Sequence, residues 1–272
     1  MRMTRVAEGM ALPAGSPNAD VRILADPEEL SRTAAEEFVR RTDEAVRAGG
    51  TAAVALAGGS TPRALYRLLA GEGAPMLPGR IPWGQIHFFW GDERHVPTDH
   101  PESNYRMAHE AMLSRVPVPP GNIHRIQGEI PDAASAAREY ARTLREVFRL
   151  ASGQLPRFDL ILLGMGPDGH TASLFPGTDA ALEREKLVAA PWVEKLRGYR
   201  ITLTPPVLNH AACVMFLVSG EEKAETVRAV LQGDYQQERL PAQLIRPRQG
   251  RLLWMLDRAS ARLLPARGRA AG

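Results

Sequence analysis

Apolar positions along this chain follow two rhythms. One recurs with the period of a helix; the other is unbroken over five or six residues. Between Glu28 and Ala48, Leu30, Ala34, Phe38 and Val46 fall on one helical face, with Pro27 at the start and Gly49-Gly50 at the end. That spacing, with its stop signals in place, predicts an amphipathic helix. Pro62–Ala70, Ala133–Leu150, Glu221–Gln232 and Ala259–Leu264 read as helices, Pro101–Val116 as mostly helix and Pro205–His210 as a short one. Against them stand the near-continuous apolar runs Thr51–Ala57, Ile86–Trp90, Phe158–Leu163, Val214–Val218 and Leu252–Leu256, with Arg200–Leu203 as a further strand. Strands buried on both faces and alternating with helices are the signature of a parallel sheet covered by helices. The pattern predicts one α/β domain of doubly wound type over residues 26–264, with residues 1–25 and 265–272 as flexible tails.

Composition removes several alternatives. With 272 residues, 44% hydrophobic and 24% charged, the chain can bury a full core without disulfide or metal staples. Its one cysteine, Cys213, lies in the apolar run Ala211–Phe216 and reads as a small buried hydrophobe. Disulfide frameworks and cysteine-rich zinc modules are excluded, and a reducing, cytoplasmic setting is expected. The net charge is +3, with acids and bases interleaved as in Glu183-Arg184-Glu185-Lys186 and no long basic run outside Arg258–Arg269. No nucleic-acid partner is expected from such dispersed charge. Nothing approaches the ~18 apolar residues of a membrane span, and the N-terminus has no apolar signal region.

Four of the predicted strands end in polar, glycine-bearing segments, and in open α/β sheets ligands bind beyond the carboxyl ends of the strands. The first segment is Gly58-Gly59-Ser60-Thr61-Pro62. Thr61 is placed as N-cap and Pro62 as first helical residue, leaving free amides for a phosphate. The plainer reading is a tight, well-capped turn. The second is Gly91-Asp92-Glu93-Arg94-His95-Val96-Pro97, where Asp92 and Arg94 point into a cleft or the whole run is solvated. The third, Gly164-Met165-Gly166-Pro167-Asp168-Gly169-His170, holds a literal G-x-G-x-x-G. A dinucleotide cradle is disfavoured, because Pro167 removes an amide and Pro176-Gly177 stops the following helix by about Phe175. What remains is Asp168 with His170, a carboxylate and a potential general base, or else a helix cap and a surface histidine. The fourth is Ser219-Gly220-Glu221-Glu222-Lys223. A lysine in a first helical turn is unfavourable unless an anion is present, although pairing with Glu221 or Glu222 would also explain it. His95, Asp99 and His100, or Asp168 with His170, could ligate a metal, but no spacing matches a zinc pattern and no metal is expected. No G-x-S-x-G serine elbow occurs.

Gly58–Pro62, Gly91–Arg94 with Val96-Pro97, Glu102-Ser103-Asn104-Tyr105 and Gly164–Gly177 together closely resemble the 6-phosphogluconolactonase family, which belongs with the glucosamine-6-phosphate deaminases and isomerases. The order and spacing match over about Asp26–Leu264. The resemblance implies a modified Rossmann-like fold and hydrolysis of 6-phospho-D-glucono-1,5-lactone, the second step of the pentose phosphate pathway, with no metal or organic cofactor. It implies His170 as the base, oriented by Asp168 or Asp92. It places the substrate phosphate on Gly58, Gly59, Ser60 and Thr61 with Lys223 as point charge, and Arg94 and Arg200 as guanidinium clamps. It also implies a monomer or weak homo-oligomer. The deaminases carry a glutamate five residues after that histidine to assist ring opening; Phe175 occupies the position here. A non-catalytic sugar-phosphate sensor is the alternative of another class, but the residues before the first helix are too few for a DNA-reading module.

Overall fold

The computed structural model describes residues 19–74 and 77–265. Chain order runs β1 (Ala19–Leu24), α1 (Pro27–Gly49), β2 (Ala52–Leu56), α2 (Ser60–Leu69), β3 (Ile86–Trp90), β4 (Asp92–Arg94), α3 (Asn104–Ala111), α4 (Ala133–Val147), β5 (Leu160–Leu163), β6 (Val188–Ala189), β7 (Trp192–Val193), β8 (Gly198–Leu203), α5 (Pro205–Asn209), β9 (Cys213–Val218), α6 (Ala224–Gln232) and β10 (Arg251–Asp257).

Six strands form a wholly parallel sheet in the order β1-β10-β9-β5-β2-β3. From β2 the chain moves outward to β3 through α2. From β3 it returns past β2 to β5 through α4, then continues to β9 and β10. Parallel crossovers are right-handed, so this reversal puts the connecting helices on opposite faces, as a doubly wound fold requires. The reversal also makes the boundary between β2 and β5, paired at Val54↔Leu160 and Ala55↔Ile161, the topological switch point. One continuous core fills both faces, from Leu30 of α1 to Leu264. Phe216 and Trp254, neighbours in register on β9 and β10, stack at 3.9 Å and 3°. Two buried tyrosines fasten strand ends: the Tyr66 hydroxyl bridges the amide and carbonyl of Ala57, and that of Tyr140 bridges those of Trp90, each at 2.9 Å.

Four features depart from the sequence reading. Ala19–Leu24, assigned to the tail, is an edge strand paired in parallel with β10; its half-buried positions lack the apolar run that marks the inner strands. Residues 1–18 and 266–272 of the expected tails lie outside the described residues. β8 is in register with β4 and β6 in a small antiparallel sheet, with β7 also paired to it, and is not part of the main sheet. Ala259–Leu264 is a series of turns, anchored where Asp257 accepts the Ser260 amide at 2.7 Å. The expected helix Glu221–Gln232 divides into a 3-10 turn, Glu221–Lys223, and α6.

Candidate active site

β5 delivers the chain into Gly164–Ser173 at the switch point. No helix follows. The amides of Gly166 and Gly169 are spent inside the loop, on His170 O and Gly166 O, each at 3.0 Å. They are therefore unavailable to a pyrophosphate, which disposes of the dinucleotide cradle. The expected helical stretch to Phe175 is replaced by turns, with Ala172 at φ 47° and a bridge between Thr171 and Leu174. Outside contacts hold the loop: Thr226 Oγ1 donates to Pro167 O at 2.5 Å and the Ala242 amide to Gly169 O at 2.9 Å.

Within this frame His170 Nδ1 lies 2.5 Å from Asp168 Oδ1. The carboxylate accepts, so Nδ1 is the donor, and in the neutral tautomer the lone pair lies on Nε2. Asp168 Oδ2 accepts from Lys195 Nζ. Partial burial pushes the Asp168 carboxyl up, but the hydrogen bonds from His170 and Lys195 outweigh it and hold it well below the usual carboxylate range. Glycine is required at 166, because a Cβ there would lie 2.1 Å from His170 Cε1. The imidazole stacks on Phe175 at 4.1 Å between centroids. Of the two acids expected to orient His170, only Asp168 does so. Asp92 instead accepts Ser173 Oγ at 2.7 Å and, through its carbonyl, Asn104 Nδ2 at 3.0 Å. It fixes the far end of the His170 loop.

β4 contributes a second group of side chains. The solvated reading of its charge run fails at Asp92 and Glu93, which are both buried. Glu93 accepts the amides of Arg94, Asn104 and Tyr105 and the Ser103 hydroxyl, at 2.7–3.1 Å. It is an internal cap for α3, and burial pushes its carboxyl up against those hydrogen bonds. Arg94 pairs in register with Arg200 of β8. Each donates to a backbone carbonyl, Arg94 to Glu102 O at 2.5 Å and Arg200 to Tyr199 O at 3.1 Å. Burial first, and then the facing Arg94, push the Arg200 guanidinium down from its ordinary value. Two guanidiniums held side by side favour an anion between or before them.

The first strand-end segment starts its helix earlier than expected. Gly59, at φ 104°, is the N-cap of α2, which begins at Ser60. Thr61 is thus inside the first turn and not the cap, and no side chain caps the helix. Its first amides remain available to an anion. A Cβ on Gly58 would fall 2.0 Å from Asn104 Oδ1, so glycine lets this loop close onto α3. Lys223 ends the 3-10 turn beyond β9, the strand beside β5. Asp257 holds that turn by accepting Ser219 Oγ at 2.6 Å and the Gly220 amide at 3.2 Å. Glu221 pairs with Arg262 rather than with Lys223. Burial pushes the Lys223 ammonium down, with Glu222 and Asp257 acting the other way. Lys195, Glu93 and Ser173, which the sequence reading does not single out, make contacts that hold these segments together.

Among the described residues no group of three or more His, Cys, Asp or Glu could hold a metal, and no helix is long and apolar enough to cross a membrane. Residues 25–254 match the family described as glucosamine-6-phosphate isomerases/6-phosphogluconolactonase. The 6-phosphogluconolactonase of Nostoc sp. is 39% identical over 240 residues, covering 88% of this chain and 96% of the relative. That of Rattus norvegicus is 40% identical over 249 residues, covering 90% and 93%. The solved 6-phosphogluconolactonase of Trypanosoma cruzi superposes with a TM-score of 0.80 at 30% identity, covering 92% of this chain and 98% of that one. The chain belongs to the glucosamine-6-phosphate isomerase/6-phosphogluconolactonase family.

Proposed function

We propose that this chain hydrolyses 6-phospho-D-glucono-1,5-lactone to 6-phospho-D-gluconate in the pentose phosphate pathway, with His170 as general base. The observation that carries the reading is the Asp168–His170 couple at the switch point, with Arg94 and Arg200 paired across β4 and β8 and Lys223 on the turn beyond β9. Water attacks C1 and gives its proton to His170 Nε2. Asp168 stabilises the imidazolium through Nδ1. The tetrahedral intermediate collapses with cleavage of the C1–O5 bond, and the imidazolium returns the proton to O5. The product is a hydroxyl at C5 and a carboxylic acid at C1, which ionises and releases one proton to solvent. Base catalysis of this kind supplies roughly 10²–10⁴-fold.

The substrate brings one anion and develops another. The α2 amides and Lys223 are assigned to the 6-phosphate, and Arg94 and Arg200 to the anionic oxygens, whether of phosphate or of the developing oxyanion. Phe175 supports hydrolysis over deamination: an apolar ring lies under His170 where ring opening needs a carboxyl.

Freshly generated lactone tests the reading, with proton release followed beside a glucosamine 6-phosphate control for ammonia. Rapid acid production without ammonia is expected. Ammonia production, or no turnover of either sugar, would overturn it.

A further inference from the structure

Lys195 lies on a 3-10 turn, Glu194–Leu196, between β7 and β8. The turn is held in place: Trp192 Nε1 donates to Glu194 Oε2 at 2.7 Å, and Trp192 packs edge-on against Tyr199 at 5.0 Å. Arg197 closes it in the left-handed region at φ 48°. From there the ammonium reaches Asp168 Oδ2 and stands 4.6 Å from the centroid of Phe175, the ring on which His170 stacks. One carboxylate therefore serves two cations: the imidazolium that forms during turnover on Oδ1, and a permanent ammonium on Oδ2.

We propose that Lys195 is a positioning residue that acts through Asp168 to keep His170 in its neutral, proton-accepting form. An isolated carboxylate against Nδ1 favours imidazolium, because an opposite charge stabilises the protonated ring. A lysine on the second oxygen compensates that charge, leaving the orienting hydrogen bond while reducing the field. The other groups around the loop do not duplicate this. Asp92 reaches it at Ser173, and the contacts from Thr226 and Ala242 are uncharged. The kinetic consequence rests on the hydrolase reading above; the protonation consequence does not.

The test uses Lys195→Met, which keeps a stem over Phe175 and removes the charge, with Lys195→Arg as rescue. Two readouts are taken. The first is the acid limb of kcat/KM for the lactone. The second is protonation of the His170 ring followed by NMR without substrate, its signal assigned by loss in His170→Asn. In Lys195→Met both are expected to move to higher pH by roughly 0.5–1 unit, less than the 1–3 units of a direct charge partner, with KM unchanged. Lys195→Arg is expected to restore both. In an Asp168→Asn background Lys195→Met is expected to move neither. An unmoved NMR midpoint overturns the proposal. So does a raised KM with a static acid limb, which would make Lys195 a substrate contact, or an equal shift in the Asp168→Asn background. A shifted midpoint in a protein that fails to hydrolyse lactone would sink the functional reading alone.

Discussion

The loop after β5 and the β4–β8 ribbon are joined through Ser173, whose hydroxyl donates to Asp92 Oδ2 and whose amide donates to Thr202 Oγ1. They treat charge in opposite ways. On the loop, each charged group already has its partner: Asp168 serves His170 and Lys195 at once, and backbone bonds lock the turn that carries them. On the ribbon, Arg94 and Arg200 are placed opposite each other, and among the described residues they donate to carbonyls alone. The first arrangement is complete before a substrate arrives, as a proton-transfer couple must be to keep its geometry. The second suits an anion, because each guanidinium faces a like charge. A proton-transfer couple and a facing pair of guanidiniums thus lie on two segments joined by Ser173.

Substitutions can break that division, beginning with the largest effect. His170→Ala is expected to lower kcat by about 10²–10⁴-fold while leaving the thermal midpoint nearly unchanged; a stopped-flow assay with fresh lactone gives the first and calorimetry the second. Arg200→Met, on the ribbon, is expected to weaken 6-phosphogluconate binding by about 10–100-fold, the worth of a charged hydrogen bond. Titration calorimetry measures it, and a Tm that falls with the loss of Arg200 would show that the pair is structural rather than a binding element. Lys223→Ala is expected to raise KM about tenfold for the phosphorylated lactone, from loss of one charged contact, and far less for glucono-1,5-lactone. Equal effects on both substrates would remove Lys223 from the phosphate site.

The smallest effect concerns stability on the loop. The Asp168 carboxyl is depressed by its partners, so its contribution is present above about pH 4, the unfolded value, and is lost as pH falls further. Asp168→Asn is therefore expected to melt slightly below the parent at pH 7, by no more than the ~1 kcal/mol of a partly exposed pair. The gap should close below pH 4 in a series of melting curves.

The sheet's inner strands were legible because β5 and β9 are apolar at every position, and such runs have few other uses. The flanking strands were not. β1 is half exposed, and its partner β10 lies at the other end of the chain. β4 is Asp-Glu-Arg, which no strand propensity favours; pairing with β8 and the buried cap role of Glu93 make it one. The same limit applies to the site. Asp168 and His170 are two residues apart and share one loop, so their pairing could be read directly. Lys195 reaches Asp168 from a different loop, and nothing local to either residue signals the contact. Thr61 was misplaced because Gly59 adopts a positive φ and starts α2 two residues earlier than proline placement implied.

The pairing of Ala19 with Leu252 and of Leu24 with Asp257 has a consequence for biosynthesis. A ribosome delivers the first strand of the sheet well before β10, its neighbour among the described residues. Until residues 251–257 emerge, β1 has no template, and its amides and carbonyls remain open to other nascent chains. The catalytic strand ends do not share this delay, since β2, β3, β5 and β9 are all made earlier. A premature stop before Arg251 would leave the His170 loop and both arginines encoded, yet strip one edge of the sheet of two strands at once.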